Sequence, residues 1–337
     1  MKPESPTDLY IVSSSPHTHS GESVERIMLD VVIALIPAFL AACWFFRLEA
    51  VRLTAVCVGT CLLTEWLCRK AMRRASTLSD SSAVITGLLL AFNVPPSLPS
   101  WMAVAGSVFA IAIAKQVFGG LGYNPFNPAL MGRAFMLISF TGAMTTWSQS
   151  PWLQKVAGSA PDAVTTATPL GIVKEALKAG QPLPVFDTSL LPDFFFGNMN
   201  GCIGETSALA LLIGAAYLLY RKVISWHIPA AYLLTVLVYA AALRAVSPAT
   251  SIPPLFHLLS GGLILGAFFM ATDMVTTPLT RRGMLVFGVG CGVLTMVIRT
   301  VKTGAYPEGV SFAILIMNAF TPLINRATRN RVFGTKK

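Results

Sequence analysis

The chain consists of two blocks of apolar segments separated by one long polar interval. The first block has apolar segments at residues 27–46, 51–68, 82–95, 101–118 and 129–146, and the second at 205–220, 227–244, 254–272, 283–298 and 308–325. Several approach the roughly 20 residues that an α-helix needs to cross the hydrocarbon core of a bilayer. The pattern therefore predicts about ten transmembrane helices, some of them short enough to be broken or tilted.

The two blocks show the same order of features. The third segment stops at Asn93 and two prolines, the eighth stops near Asp273 with Pro278 beyond it, and a further apolar segment follows each stop. Five helices per block is an odd number, so the two blocks must have opposite orientations. We expect an all-α, polytopic 5+5 inverted repeat whose broken helices meet near the membrane centre, an architecture that resembles the urea-transporter fold.

Composition and charge support a membrane protein. Of the 337 residues, 54% are hydrophobic and 12% are charged, whereas soluble domains carry about 25% charged residues. The net charge of +10 comes mostly from basic residues at the ends of apolar segments and in the tail. Such residues set membrane topology and contact anionic lipid, so we expect membrane lipid and no nucleic acid as a partner.

The basic residues also predict the orientation. Basic groups follow the second, sixth, eighth and tenth segments and fall on one side of the membrane, although Arg47, Arg52, Arg244, Arg299 and Lys302 oppose this arrangement. The positive-inside rule then predicts a cytoplasmic N-terminal segment (1–26) and a cytoplasmic basic tail (326–337). The two membrane repeats span 27–146 and 204–325, and the interval 147–203 between them lies outside the cytoplasm.

Polar side chains inside apolar segments are costly and are candidates for function. The acids and amides at such positions are Asp30, Glu65, Asn93, Asn124, Asn127, Glu205, Asp273, Glu308 and Asn318. Asp30 and Glu65 lie near segment ends, where an interfacial position suffices. Five of these residues lie near the breaks, where they could line an ion path or only bond to exposed backbone, and both interpretations stay open: Asn124, Asn127, Asp273, Glu308 and Asn318.

No nucleophilic catalytic set is found in the sequence. We also expect no metal ligands and no iron–sulfur cluster held by this chain's cysteines.

The polar interval contains the stretch 161–170, which predicts the start of a helix. Thr168 suits the N-cap, Pro169 suits the first helical position, and Gly180 follows the expected end at Ala179. The local sequence alone therefore gives Thr168 a capping role.

The same stretch resembles a flavin-attachment motif. Asp162-x-x-Thr165-x-Ala167-Thr168, with Thr166 at the variable position, is similar to the signature at which a flavin transferase joins FMN to the last Thr in membrane subunits of the RnfD/NqrB family. The stretches Gly119–Ala129, Phe268–Asp273 and Tyr306–Val310 also stand in the order found in RnfD-type subunits. A capping role and a flavin are compatible, because a helix N-terminus favours a phosphate.

The resemblance implies a function and its components. It implies a bacterial inner-membrane subunit of an Rnf-type complex, which couples electron transfer between ferredoxin and NAD to Na⁺ or H⁺ movement. The cofactors implied are FMN, bound by a phosphoester to Thr168 on the periplasmic side, and a second, non-covalent flavin (riboflavin) within the helices. The partners implied are the other Rnf subunits (A, B, C, E and G) and the flavin transferase. The alternative from the residues alone is a transporter or channel with no redox role.

Overall fold

The computed structural model describes residues 23–147, 168–179, 191–197, 201–247, 251–301 and 309–329, in which the regular structure is helical and no β-strand occurs. Each of the ten apolar segments predicted from the sequence contains a helix. Apolar side chains drive these segments into the bilayer, where only structures that satisfy their own backbone hydrogen bonds are stable. The predicted all-α character is therefore confirmed for the described residues.

The first block begins with two long helices and continues with shorter ones. Its helices are α1 (Val24–Phe46), α2 (Leu48–Ala71), α3 (Ser82–Phe92), α4 (Ser100–Val108, continuing as a π-helix over Phe109–Gln116), α5 (Pro128–Ser139) and α6 (Thr141–Met144). A single 3₁₀ turn at Leu78–Asp80 precedes α3. The third helix is thus only about half the length of the two that precede it.

The interval between the blocks contributes two described helices, α7 (Pro169–Ala179) and α8 (Leu191–Phe196). The second block contains α9 (Ala208–Tyr220), α10 (His227–Val246), α11 (Pro254–Leu259), α12 (Leu263–Leu265, continuing as a π turn over Gly266–Met270), α13 (Arg281–Thr300) and α14 (Val310–Thr328). As in the first block, the third apolar segment forms only short helical pieces.

Five helices in the described part of the chain are long and apolar enough to cross a membrane. They are α1, α2, α10, α13 and α14. Shorter apolar helices occupy 82–92, 100–116, 128–139 and 208–220. The chain is therefore a membrane protein that combines long and short apolar helices.

The helices begin where the sequence supplies caps. Ser23, Ser207 and Thr280 accept hydrogen bonds from the backbone N–H three residues later, at 3.2, 3.3 and 3.0 Å. Asn127 accepts from two backbone N–H groups at the start of α5. Because the first N–H groups of a helix have no partner within it, these side chains define where each helix starts.

The breaks predicted after the third and eighth segments are confirmed. α3 ends at Phe92, and the freed carbonyls of Phe92 and Val94 accept hydrogen bonds from the backbone N–H groups of Gly204 and Ile203 at 2.9 and 3.1 Å. The π turn after α12 ends at Met270, whose carbonyl accepts from the Asn127 amide at 3.4 Å. Backbone that leaves a helix inside the membrane must find such partners.

Glycines allow the helices to pack closely. A Cβ at Gly288 or Gly292 of α13 would meet the backbone of α10 at Ile228 and Tyr232, respectively. A Cβ at Gly214 of α9 would overlap the carbonyl oxygen of Ala34 in α1. Small residues at helix crossings are typical of membrane proteins, in which dispersion contacts rather than the hydrophobic effect hold helices together.

Candidate functional site

Thr168 lies at the N-terminus of α7, as the sequence predicts. Its Oγ1 accepts a hydrogen bond from the backbone N–H of Gly171 at 3.1 Å. Pro169 is the first helical residue and has no N–H to satisfy. The predicted N-cap is therefore confirmed, while Gly180 lies outside the described residues.

The first two turns of α7 are packed against the second block. Leu170 and Val173 form a small apolar cluster with Phe194 of α8, Ile252, and Phe256 of α11. The rings of Phe194 and Phe256 meet edge to face, with centroids 5.3 Å apart. Since Thr168 directly precedes this packed turn, its side chain is also buried, with 5% of its surface exposed.

Two buried cations lie near the start of α7, one on α13 and one on α7 itself. Arg299, in the last turn of α13, donates to the carbonyls of His257, Ser260 and Gly261 at 2.7, 3.0 and 3.1 Å. Gly261 has a φ of +73°, and both Leu170 and the Arg299 guanidinium occupy the space where a Cβ at this position would lie. Lys174, one turn after Leu170, donates to the carbonyl of Ile298 at 3.2 Å. The start of α7 therefore lies in a basic environment, which favours a phosphate group.

Several predicted site residues lie outside the described residues. These are Asp162, Thr165, Thr166, Ala167 and Glu308. Their roles stay as predicted from the sequence.

A buried polar centre joins the two blocks where the broken helices meet. Asn127 bonds to the carbonyl of Met270 through its amide, and its backbone N–H lies 3.2 Å from the side-chain oxygen of Asn318 once that amide is oriented to satisfy its neighbours. The Asn93 amide donates to the carbonyl of Leu89 at 2.6 Å. Asn93, Asn127 and Asn318 thus bond to backbone groups near the breaks. This is the backbone-supporting role that the sequence leaves open beside an ion path.

Arg133 is the residue of this centre that sequence reasoning missed. It is 5% exposed and donates to Asn93 Oδ1 at 3.0 Å, to Ser311 Oγ at 2.6 Å and to Cys202 Sγ at 3.7 Å. These three partners come from the first block, the second block and the segment between them. Arg133 therefore connects all three parts of the chain at one point.

A cavity opens between the two blocks near this centre. It encloses about 780 Å³ of space between atoms, counting its open mouth. Its walls are mostly apolar, and its polar lining includes Ser82, Lys115, Asn124, Asn127 and Asp273. Pockets with apolar walls and a few convergent polar groups are the usual places for small-molecule ligands. This cavity brings together three of the predicted site residues.

Asn124 also lines a second, more open groove, whose other polar residues are Thr276, Thr277, Asn318, Thr321 and Asn325. The Asn124 side chain is 4% exposed, and its Oδ1 has no hydrogen-bond partner within the described part of the chain. The Asn124 side chain therefore lies between the cavity and the groove, and its Oδ1 is free to accept a hydrogen bond. Asp273 also lines the cavity, with its carboxylate accepting from Val275 N–H at 3.4 Å and Thr276 Oγ1 at 3.2 Å.

A second buried polar cluster lies at the far ends of α2 and α4. Glu65 is fully buried within the protein, and its interfacial position in the membrane stays a prediction. Lys115 Nζ lies 2.9 and 3.1 Å from the two Glu65 oxygens and 2.6 Å from Ser82 Oγ. Gln116 and Thr77 also donate to Glu65, at 2.9 and 2.7 Å. The carboxylate is buried because these donors replace its hydration.

Asp30 is also buried and makes a bridge between blocks. Its carboxylate accepts from Tyr217 Oη at 2.8 Å and from Arg221 Nη2 at 3.0 Å, both at the end of α9. The bridge holds α1 against α9 at one edge of the main cavity.

A sequence signal for the missed residues does exist. Lys115, Arg133 and Arg299 are basic residues close to or within apolar segments, a position that is as costly for them as for acids and amides. A basic residue in that position must find acceptors inside the protein, as all three do here. The rule that makes acids and amides in apolar segments candidates for function therefore also indicates these three basic residues.

These features define the class of protein: a polytopic helical membrane protein with broken helices, a buried polar centre and a cavity lined by both helical blocks. Comparison with known sequences is consistent with this class. A profile of the NQR2, RnfD, RnfE family matches residues 11–334. The chain belongs to this family.

Similar proteins extend over nearly the whole chain. The D subunit of the Na⁺-translocating ferredoxin:NAD⁺ oxidoreductase complex of Acetobacterium woodii is 47% identical over 328 residues, covering 97% of this chain and 96% of that protein. The D subunit of the proton-translocating ferredoxin:NAD⁺ oxidoreductase complex of Clostridium ljungdahlii is 44% identical, with 98% of each chain covered. The D subunit of the ion-translocating oxidoreductase complex of Salmonella newport is 41% identical over 98% of this chain and 99% of its own.

Proposed function

We propose that this chain is the membrane subunit of an Rnf-type complex and relays electrons through FMN esterified to Thr168. In such a complex, electron transfer between ferredoxin and NAD is coupled to Na⁺ or H⁺ movement. The chain catalyses no bond change alone, and its partners are the other Rnf subunits and a flavin transferase. Support comes from the relatives named above, which match it end to end at 41–47% identity.

The observation that carries the flavin assignment is the position of the Thr168 hydroxyl at a helix N-terminus. A phosphoester there places an anion where backbone N–H groups and the helix dipole stabilise negative charge. The backbone N–H of Gly171 already bonds to this oxygen, and Lys174 adds positive charge less than two turns away. The residues present therefore fit a phosphate.

The flavin, when bound, would supply a ring that accepts and passes on electrons. The tether would hold that ring near one site at a millimolar effective concentration or so. Thr168 is 5% exposed, so esterification requires the start of α7 to separate from its neighbours while the bond forms. The packing of Leu170 and Val173 fixes the position of Thr168, which is the point at which the tether would leave the protein.

The test uses variants of Thr168 that separate the cap from the ester. Thr168→Val removes both functions, Thr168→Asp keeps a capping oxygen but has no hydroxyl, and Thr168→Ser keeps both. Thr145→Val is the matched control, because it removes an exposed threonine hydroxyl elsewhere. Each protein is co-expressed with the flavin transferase, denatured, and examined for ultraviolet fluorescence in the gel.

We expect a fluorescent band near 36 kDa in the wild type and in Thr145→Val, and none in Thr168→Val or Thr168→Asp. Loss of the band in Thr168→Asp is decisive, because that variant keeps the cap. A dark wild-type band with an active transferase, or a bright Thr168→Asp band, would leave Thr168 as a cap and reject the flavin assignment.

The same samples test the second, non-covalent flavin. We propose that riboflavin binds in the main cavity, where apolar walls suit a flat ring and the free Oδ1 of Asn124 offers a polar contact at its edge. Acid precipitation releases non-covalent flavin into the supernatant, so Thr168→Val should keep that fraction while losing the covalent one.

The structure offers support for the inverted repeat of ten helices. In each block, a residue with left-handed backbone (Ser81, φ 58°; Gly262, φ 61°) immediately precedes the half-helix. In each block, a basic residue at the end of the next long helix returns to the start of the half-helix: Lys115 bonds to Ser82, and Arg299 bonds to Ser260 and Gly261. A gene duplication with opposite orientation would produce this correspondence.

We propose that the flavin side of the protein is periplasmic, in the bacterial inner membrane, with both termini in the cytoplasm. Arg281 and Arg282 lie at the first turn of α13, whereas Arg299, beside α7, lies at its last turn. A helix of 20 residues is about 30 Å long, which matches the bilayer core. Basic residues favour the cytoplasmic side, so α7 belongs to the opposite one.

We further propose that Asn124, Asn127, Asp273, Glu308 and Asn318 border an ion path on the side of the main cavity. The free Oδ1 of Asn124 and the Asp273 carboxylate are oxygen ligands of the type that Na⁺ prefers. Asp273 has no basic side chain within ion-pair distance among the described residues. A half-buried carboxylate without such a partner favours a bound cation or a proton.

The second candidate function is a transporter or channel without redox chemistry. The broken helices and the cavity between the blocks favour it as much as they favour an electron-transfer protein. The names of the relatives support the redox role, and the motif at Thr168 tests it directly, since a dark wild-type band in the fluorescence test would favour the transporter.

A further inference from the structure

A cationic surface lies where the end of α2 meets the loop after α4. It consists of Trp66, Arg69, Lys70 and Arg74 together with the glycine-rich loop at 119–122, and is called here the Arg69 surface. Arg73 adds a further positive charge in the turn that follows α2. The proposed electron relay uses none of these residues.

Arg69 is available to bind an anion. Glu65 lies one turn earlier on α2, where an acid would ordinarily pair with it. Glu65 is instead occupied by Lys115, Gln116 and Thr77. Within the described residues, the Arg69 side chain makes no hydrogen bond or ion pair, and its Nε is buried without a partner. The guanidinium is therefore held in place by packing rather than by an acid.

The glycine-rich loop is shaped around this guanidinium. Gly120 has a φ of +102°, and a Cβ built there would lie 2.5 Å from Arg69 Nη2. Arg74 Nη1 donates to the carbonyl of Gly119 at 3.3 Å. The loop thus packs under two arginines, and only a residue without a side chain fits at position 120.

Exposed apolar side chains lie beside these cations on α2 and just after α4. Leu63 and Leu67 of α2 are 56% and 50% exposed, and Phe118 beyond α4 is 49% exposed. Lys70 Nζ lies 4.8 Å from the centroid of the Trp66 ring, an arrangement typical of the membrane–water interface. An exposed apolar strip that ends in a cluster of cations matches the shape and charge of a phospholipid.

We infer that the Arg69 surface binds one anionic phospholipid, with its phosphate on Arg69 and its acyl chains along Leu63 and Leu67. Glu65 does not compete with the phosphate for Arg69, because it is buried in its own ion pair with Lys115. The site is independent of the flavin.

The lipid would act on the cavity through the loop. Asn124, which lines both the main cavity and the neighbouring groove, follows the glycine-rich loop by two residues. A headgroup that fixes Arg69 therefore also fixes the loop that positions Asn124.

The test compares two pairs of variants in the assembled complex. Arg69→Gln removes the guanidinium, and Arg282→Gln removes the same charge from an exposed position at the start of α13. Gly120→Ala displaces the guanidinium without changing charge, and Gly122→Ala puts a Cβ at a second left-handed glycine (φ +93°) that has no atom within 4 Å of it. Retained phosphatidylglycerol is counted by native mass spectrometry, and melting temperature is followed during its titration.

We expect Arg69→Gln and Gly120→Ala to weaken lipid retention by roughly fivefold, as for the loss of about one cation at a lipid surface. Arg282→Gln and Gly122→Ala should bind as the wild type does. Equal losses in Arg69→Gln and Arg282→Gln would show generic charge attraction and overturn the site. A Gly120→Ala variant that binds like Gly122→Ala would also overturn it. Inorganic phosphate that stabilises the complex as well as phosphatidylglycerol does would mean an ion site and not a lipid site.

Discussion

The buried pair of Glu65 and Lys115 gives the sharpest stability prediction. Glu65 is 0% exposed and Lys115 is 2% exposed, and the carboxylate and ammonium are 2.9 Å apart at their closest atoms. Removing one charge leaves the other buried and unpaired, which typically destabilises a protein by about 3–5 kcal/mol. We expect Glu65→Gln and Lys115→Met each to lower the free energy of unfolding by roughly that amount.

The double variant should behave differently from the sum of the single ones. Glu65→Gln/Lys115→Met buries no charge and nearly preserves side-chain volume, so its loss should be far smaller than the roughly 6–10 kcal/mol that additive losses would give. The Gln side chain can still accept a hydrogen bond from Thr77, which bonds to Glu65 in the wild type. A coupling energy of about 3 kcal/mol or more is expected.

The assay is equilibrium unfolding by a denaturing detergent in bicelles, followed by tryptophan fluorescence. Arg52→Met with Glu49→Gln is the control cycle, because that ion pair is exposed and should couple by less than about 1 kcal/mol. Additive effects of the Glu65 and Lys115 substitutions would refute the reasoning, since they would show that the two charges do not compensate each other in the folded state.

Two further predictions concern helix packing and the ion path. Gly214→Ala should destabilise the protein by about 1–3 kcal/mol in the same assay, because its Cβ would overlap the carbonyl of Ala34, whereas Gly59→Ala meets no atom within 4 Å and should be neutral or slightly stabilising. For a Na⁺-coupled complex, Na⁺ but not choline should raise the melting temperature of the wild type, and Asp273→Asn should lose that response. An equal Na⁺ response in Asp273→Asn would show that Asp273 only supports the break.

Much of the fold could be predicted from the sequence because its main determinants are local. Apolar runs, caps such as Thr168, and breaks at Asn93 and Asp273 all lie within a few residues of what they determine. The helix start at Pro169 was predicted correctly because an N-cap and a proline act on the next turn alone.

The buried cations could not be located in the same way, because their partners are distant in sequence. Lys115 bonds to Glu65 from 50 residues away, and Arg133 bonds to Ser311 from 178 residues away. Hydropathy indicates that these side chains are costly in the membrane but not which acceptors compensate them. The burial of Glu65 could not be predicted for the same reason. Its four hydrogen bonds come from residues outside its own helix, and its position near a segment end does not indicate them.

Lys115 and Arg299, which bond back to the starts of the short helices, have a mechanical consequence for the broken helices. Lys115 fastens the outer end of α3, and Arg299 fastens the turn before α12, with hydrogen bonds of 2.6–3.1 Å. At the inner end of α12, the contact from Asn127 to Met270 is longer, at 3.4 Å. The second half-helix, α12 with its π turn, is therefore held more tightly at its start than at its end, whereas the end of α3 is also held, by bonds from Ile203 and Gly204. A ligand or ion that arrives between the two blocks would move the end of α12 more easily than its start, so such a motion need not disturb the turn that Arg299 holds.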